Sequence, residues 1–70
     1  RTKDSWITTK TKAAIAKARG VKARQIKVVT ERGNVFLLGM VTTAEADKAV
    51  DAARGVRGVN RITKVFEYLP

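Results

Sequence analysis

Apolar positions change their spacing along the chain, and each change marks an element. Ile7, Thr11, Ala14, Ile15 and Ala18 recur at the spacing of one helical face. Asp4 or Ser5 stands ahead of them as a cap and Gly20 follows Arg19 as a stop, which predicts a first helix over residues 5–19. Next comes QIKVVTERGNVFLLGMV, rich in β-branched and aliphatic residues on both sides of Arg32-Gly33-Asn34. Gly and Asn tolerate positive φ, so the segment predicts a hairpin of two strands, 25–31 and 34–41. Thr42-Thr43-Ala44-Glu45 reads as a capping box opening a second helix. That helix carries Ala46, Ala49, Val50 and Ala53 on one face and ends at Arg54 before Gly55. A third strand is predicted over 59–68. The order is αββαβ.

Strand alternation sorts the side chains onto two faces. Val35, Leu37, Gly39 and Val41 share one face with Ile26, Val28 and Thr30, and two alanine-rich helices can cover that face, with Gly39 easing their approach. The fold expected is α+β, a two-layer αββαβ sandwich with both helices on one face of a three-stranded sheet. The other face then displays Val29, Phe36, Leu38, Met40, Val65 and Leu69, an apolar cluster that calls for a partner such as a neighbouring domain or a second copy. KAAIAKARGV (12–21) and DKAVDAARGV (47–56) form a weak internal echo, each a helix end running through Ala-Arg-Gly-Val.

Charge adds a direction to this frame. The net charge is +9, and residues 1–27 hold nine basic residues and one acid. The remaining 43 residues are close to balanced. A field this one-sided favours an anionic partner: nucleic acid, lipid headgroups or an acidic protein. Seventy residues allow one domain at most. The chain starts at Arg1 without a methionine, and the expectation is a domain excised from a longer envelope protein whose targeting segment lies elsewhere. No apolar run approaches the ~18 residues of a membrane span.

Candidate chemistry is sparse. There is no cysteine and no histidine, which removes thiolate metal sites and the commonest general base. Asp4, Glu31, Glu45, Asp47, Asp51 and Glu67 form no ligand-spaced cluster, and Ser5 has no histidine to activate it. No catalytic residue, metal ligand or cofactor is expected.

Several motifs carry a resemblance. Gly33-x-Val35-x-Leu37-x-Gly39-x-Val41 resembles the GxVxLxGxV core of BON domains. The threonine cap and alanine-rich helix that follow are similar too, as is Gly58-Val59-x-x-Ile62 leading into the last strand. DSWITTK followed by KVVTERGNVFLLGMVT looks like the second BON domain of the dual-BON lipoproteins of Gram-negative outer membranes. The resemblance covers essentially the whole chain. It implies the αββαβ sandwich, no enzyme activity, a periplasmic or outer-membrane-associated location, and binding of anionic phospholipid. The sequence departs from the family at Thr11, where the first helix often carries Val, and at Ala14, where a larger aliphatic is common.

On a helical wheel Trp6 lies about 120° from the centre of the core face, at ~100° per residue. Lys10, Ala13 and Lys17 share its side, and Lys3 joins if the lead-in turns the same way. An indole among ammonium groups suits a membrane interface, where its ring is apolar and its N–H stays wet. Lipid contact is therefore expected at Trp6, Lys3, Lys10 and Lys17. In the competing core reading, Trp6 folds over the sheet edge against Tyr68 or Leu69. A rival function comes from Gly55-Val56-Arg57-Gly58, a GxxG of the kind with which KH domains clamp nucleic-acid backbones. A KH loop joins two helices, however, and this one leads from a helix into a strand. A third reading is a protein-interaction module that uses the open sheet face.

Overall fold

The computed structural model describes residues 3–70. Its elements are α1 (Lys3–Lys17), a 3-10 turn (Ala23–Gln25), β1 (Ile26–Glu31), β2 (Asn34–Val41), α2 (Thr43–Arg54) and β3 (Arg61–Tyr68). The sheet order is β1-β2-β3, with β1 antiparallel and β3 parallel to β2. Because β2 and β3 run the same way, α2 must carry the chain back along the sheet between them.

Both helices cover one face, as alternation predicts. Ile26, Val28, Val35, Leu37 and Val41 point into a core completed by Ile7 and Ile15 of α1 and Ala46, Ala49 and Ala53 of α2. The small α2 side chains let that helix lie close to the sheet. α2 opens with the predicted capping box: Thr42 Oγ1 accepts from the Glu45 amide at 3.1 Å, and the Glu45 carboxylate accepts from the Thr42 amide at 2.9 Å. Two of the amides that a helix start leaves unpaired are satisfied in this way.

Several boundaries and roles differ from expectation, each for a local reason. α1 starts at Lys3, so Asp4 and Ser5 sit inside its first turn and not at its cap. The tight turn places positive φ at Arg32 (52°) and Gly33 (83°) and not at Asn34, which opens β2 where the second strand was expected to begin. Two consecutive positive-φ residues give the twist that a two-residue hairpin loop needs. Gly39 does not make room for a helix. A Cβ there would run into the carbonyl oxygen of Gln25, so the glycine admits the 3-10 turn that feeds β1. β3 begins two residues after its predicted start, because Val59 and Asn60 are spent on loop contacts at the sheet end. The Ala-Arg-Gly-Val echo is not a structural repeat: α1 stops at Lys17, ahead of its copy, whereas α2 runs through Arg54.

Thr11 is fully buried in the α1 core face, and its hydroxyl has no hydrogen-bond partner. A buried hydroxyl without a partner loses its hydration and regains nothing. Thr11→Val keeps the β-branched shape and removes that loss. It is expected to stabilise the domain by about 1 kcal/mol, which raises the thermal midpoint by roughly 4–8 °C in a domain of this size. Differential scanning calorimetry of the two proteins checks it, with an unchanged or lower midpoint as the contrary result.

Candidate functional site

The end of the sheet where β2 and β3 begin gathers three pieces of chain. The first turn of α1, the β1–β2 turn and the α2–β3 loop meet there. Asp4 joins the first two. Its Oδ2 accepts from the Arg32 amide at 2.9 Å and its Oδ1 from the Gly33 amide at 3.1 Å. Gly33 joins the third, since its carbonyl accepts from the Asn60 amide at 2.9 Å and the Arg61 amide at 3.4 Å. Gly58 also lies against α1, with the Ile7 Cδ1 at 3.2 Å from the place a Cβ would occupy. Farther along α1, Thr8 donates to Thr30 of β1 at 2.7 Å.

These ties frame a groove of about 670 Å³ at the sheet end. Trp6 and Ile7 form its apolar side. Lys3, Arg32 and Arg57 bring a cation from each of the three pieces of chain, and Asn60 adds an amide. The Asp4 carboxylate lies among them, with both oxygens occupied by the turn amides. The groove therefore carries more positive than negative charge, and its one anion is already engaged. An anionic oxygen entering beside Trp6 would meet guanidinium and ammonium donors.

Trp6 stands at the lip of this groove with 51% of its surface exposed. It does not fold against Tyr68, whose ring instead meets Phe66 edge-on at 6.3 Å. The Lys10 Nζ sits 5.4 Å from the Trp6 ring centroid. Such a cation–π contact is worth about 0.5–1 kcal/mol at an exposed site.

Of the residues singled out from the sequence, Lys3, Trp6 and Lys10 come together here. Lys17 shares their side of α1 but lies eleven residues on, ~16 Å along the axis, in a separate depression with Arg19 and Lys48. Arg32, Arg57 and Asn60 are groove residues that sequence reasoning missed. A topological signal for them existed. The αββαβ order with β3 parallel to β2 places the 32–33 turn and the 55–60 loop at one end of the sheet. The GxxG segment does not have the helix–loop–helix setting of a KH clamp. Gly55 closes α2, its amide reaching the Ala52 and Ala53 carbonyls, and the loop then runs to β3. What it offers the surface is Arg57.

Fold and site together define a small αββαβ domain with a basic, tryptophan-lipped groove at one end of its sheet. The chain belongs to the BON family: a sequence model described as the BON domain matches residues 3–70. Among curated relatives, the chain is 50% identical over 66 residues to the "21 kDa hemolysin" of Actinobacillus pleuropneumoniae, a match covering 94% of the chain and 34% of that protein. It is 48% identical over 67 residues to "Outer membrane lipoprotein DolP" of Haemophilus influenzae, covering 96% and 35%. It is 41% identical over 61 residues to "Osmotically-inducible protein Y" of Escherichia coli, covering 86% and 30%. The chain spans about a third of the length of these relatives.

The site depends on Asp4 more than its place in the sequence suggests. Removing the carboxylate leaves the Arg32 and Gly33 amides without their acceptor and unties α1 from the turn. Asp4→Ala is expected to cost about 1–2 kcal/mol, read as a lowered urea midpoint. Asp4→Asn, which keeps one acceptor oxygen, should fall between the two proteins. An unchanged midpoint for Asp4→Ala would mean that the two hydrogen bonds contribute nothing.

Proposed function

We propose that this BON domain is a non-enzymatic module that docks reversibly on anionic phospholipid, through the groove and the Trp6–Lys10 side of α1. The observation that carries this reading is Trp6 itself: a half-exposed indole at the lip of a groove where cations from three elements converge. The ring enters the interfacial zone of the bilayer with its N–H wet. Lys3, Arg32 and Arg57 meet the phosphate oxygens, and Lys10 stays at the level of the headgroups. Lys17, at the far end of α1, adds long-range attraction.

Magnitudes favour docking over anchoring. Each basic side chain near an anionic leaflet contributes ~1 kcal/mol, and Trp6 insertion adds a few kcal/mol by burial of its exposed ring. The sum supports binding that salt reverses. No helix among the described residues is long and apolar enough to cross a membrane. One relative is named an outer membrane lipoprotein. With it in view, we place the chain's work in the bacterial envelope, as one module of a longer protein that supports outer-membrane integrity.

Trp6 is the chain's single tryptophan, so its emission reports the site without a label. Vesicles containing phosphatidylglycerol are expected to shift that emission to the blue at low salt, with recovery at high salt. Vesicles of phosphatidylcholine alone should leave it in place. Arg32→Glu or Arg57→Glu reverses a charge inside the groove and is expected to weaken binding roughly tenfold or more. Lys17→Glu should have the smaller effect. No shift at low salt, or equal competition by a single-stranded oligonucleotide, would remove the lipid reading and leave charge alone.

A further inference from the structure

The open face of the sheet has a charge arrangement that differs from the rest of the molecule. Strand register sets its rows. Glu31, Asn34 and Arg61 form the row at the groove end; Val29, Phe36 and Thr63 form the next; Lys27, Leu38 and Val65 the third; Met40 and Glu67 the fourth. Leu69 continues β3 beyond them, its amide held by the Val41 carbonyl at 2.7 Å. Val29, Met40, Val65 and Leu69 are exposed large apolar residues, with Met40 at 55%. In a chain of net charge +9 this face carries two cations and two anions. Neither Lys27, Glu31, Arg61 nor Glu67 takes part in an ion pair, since among the described residues the one salt bridge is Arg54–Asp51 on α2.

We propose that the open face pairs with a second copy of this chain about a two-fold axis parallel to the strands. That axis lays β2 over β2, so Phe36, Leu38 and Met40 each meet their own image, and it lays β1 over the partner copy's β3. Glu31 then stands over Arg61 of the other copy, and Lys27 lies one row from its Glu67; symmetry repeats both pairs. An in-plane axis across the strands pairs either Glu31 with Lys27 or Arg61 with Glu67, depending on the row it crosses, and leaves the other two charges unmatched. The aligned arrangement, with sheets ~10 Å apart, is an ordinary way for two sheets to pack. A neutral, self-complementary face is also what a strongly basic protein needs to meet another copy without repulsion.

The axis has a functional consequence, which rests on the docking reading above. It preserves direction along the strands, so both grooves open at the same end of the dimer. Two Trp6 edges then reach one membrane together, and the second contact forms at high effective concentration.

A face of three short strands is at the small end of specific interfaces, so a weak, concentration-dependent association is expected. Sedimentation equilibrium in lipid-free buffer tests the pairing apart from docking. The wild-type chain should show a monomer–dimer equilibrium. Glu31→Arg alone and Arg61→Glu alone each set like charges face to face and should weaken association at least roughly tenfold. An equimolar mixture of the two variants restores opposite charges at both contacts and should associate as the wild type does. Circular dichroism confirms that each variant is folded, both side chains being exposed. A wild type that stays monomeric to about 1 mM, single variants that associate undiminished, or a mixture no better than its parts would overturn the proposal. So would a face that binds only a different domain.

Discussion

Two hydrogen bonds accepted by one carboxylate hold the groove end of this domain together. Asp4 accepts both amides of the β1–β2 turn, Arg32 at 2.9 Å and Gly33 at 3.1 Å. The Gly33 carbonyl then receives the amides that open β3. Helix, hairpin and crossover loop are thus tied through a single glycine, whose φ of 83° only glycine adopts readily. Without that knot the α1 N-terminus would be one frayed helix end among others, and Trp6 would have no fixed relation to Arg32 or Arg57. The groove is a consequence of how the backbone is tied, and its cations are spread over three elements for the same reason.

The rest of the fold is economical. Ala46, Ala49 and Ala53 let α2 lie close to the sheet, while α1 offers only Ile7, Ile15 and the buried Thr11. A core this thin leaves α1 dependent on polar ties at its edge, Asp4 to the turn and Thr8 to Thr30. That dependence is compatible with a helix whose outer side is given to a partner. The two sides of the molecule also divide the charge. The groove end and α1 are basic, while the open sheet face is balanced and apolar, so each face suits a different kind of partner.

Periodicity made the element order, the face assignments and the capping box at Thr42 legible in the sequence, because each is local or follows from alternation. The angle of Trp6 from the Ile7–Thr11–Ile15 stripe pointed to its exposure, but a ring folded over the sheet edge fitted the sequence equally, and the structure decides between them with Trp6 51% exposed. Asp4 was misread as a helix cap. Its partners lie 28 and 29 residues away, and no local pattern reports that kind of tie. Arg32 looked like an ordinary turn residue, and Arg57 was hidden inside a GxxG. Only the parallel pairing of β2 with β3 places both beside Trp6. Lys17 shows the opposite limit: a helical wheel groups residues by angle and is blind to distance along the axis.

The central claim is that the face meeting the membrane is the Asp4-tied groove end, with the open sheet left free for another copy. Paramagnetic broadening of backbone amide signals, on bicelles containing phosphatidylglycerol and a headgroup-bound spin label, reads this directly. The account predicts broadening at residues 3–10, 32–33 and 57–60, with 27–29, 36–40 and 65–69 spared. Broadening centred on the sheet face, with the groove residues unaffected, would contradict it.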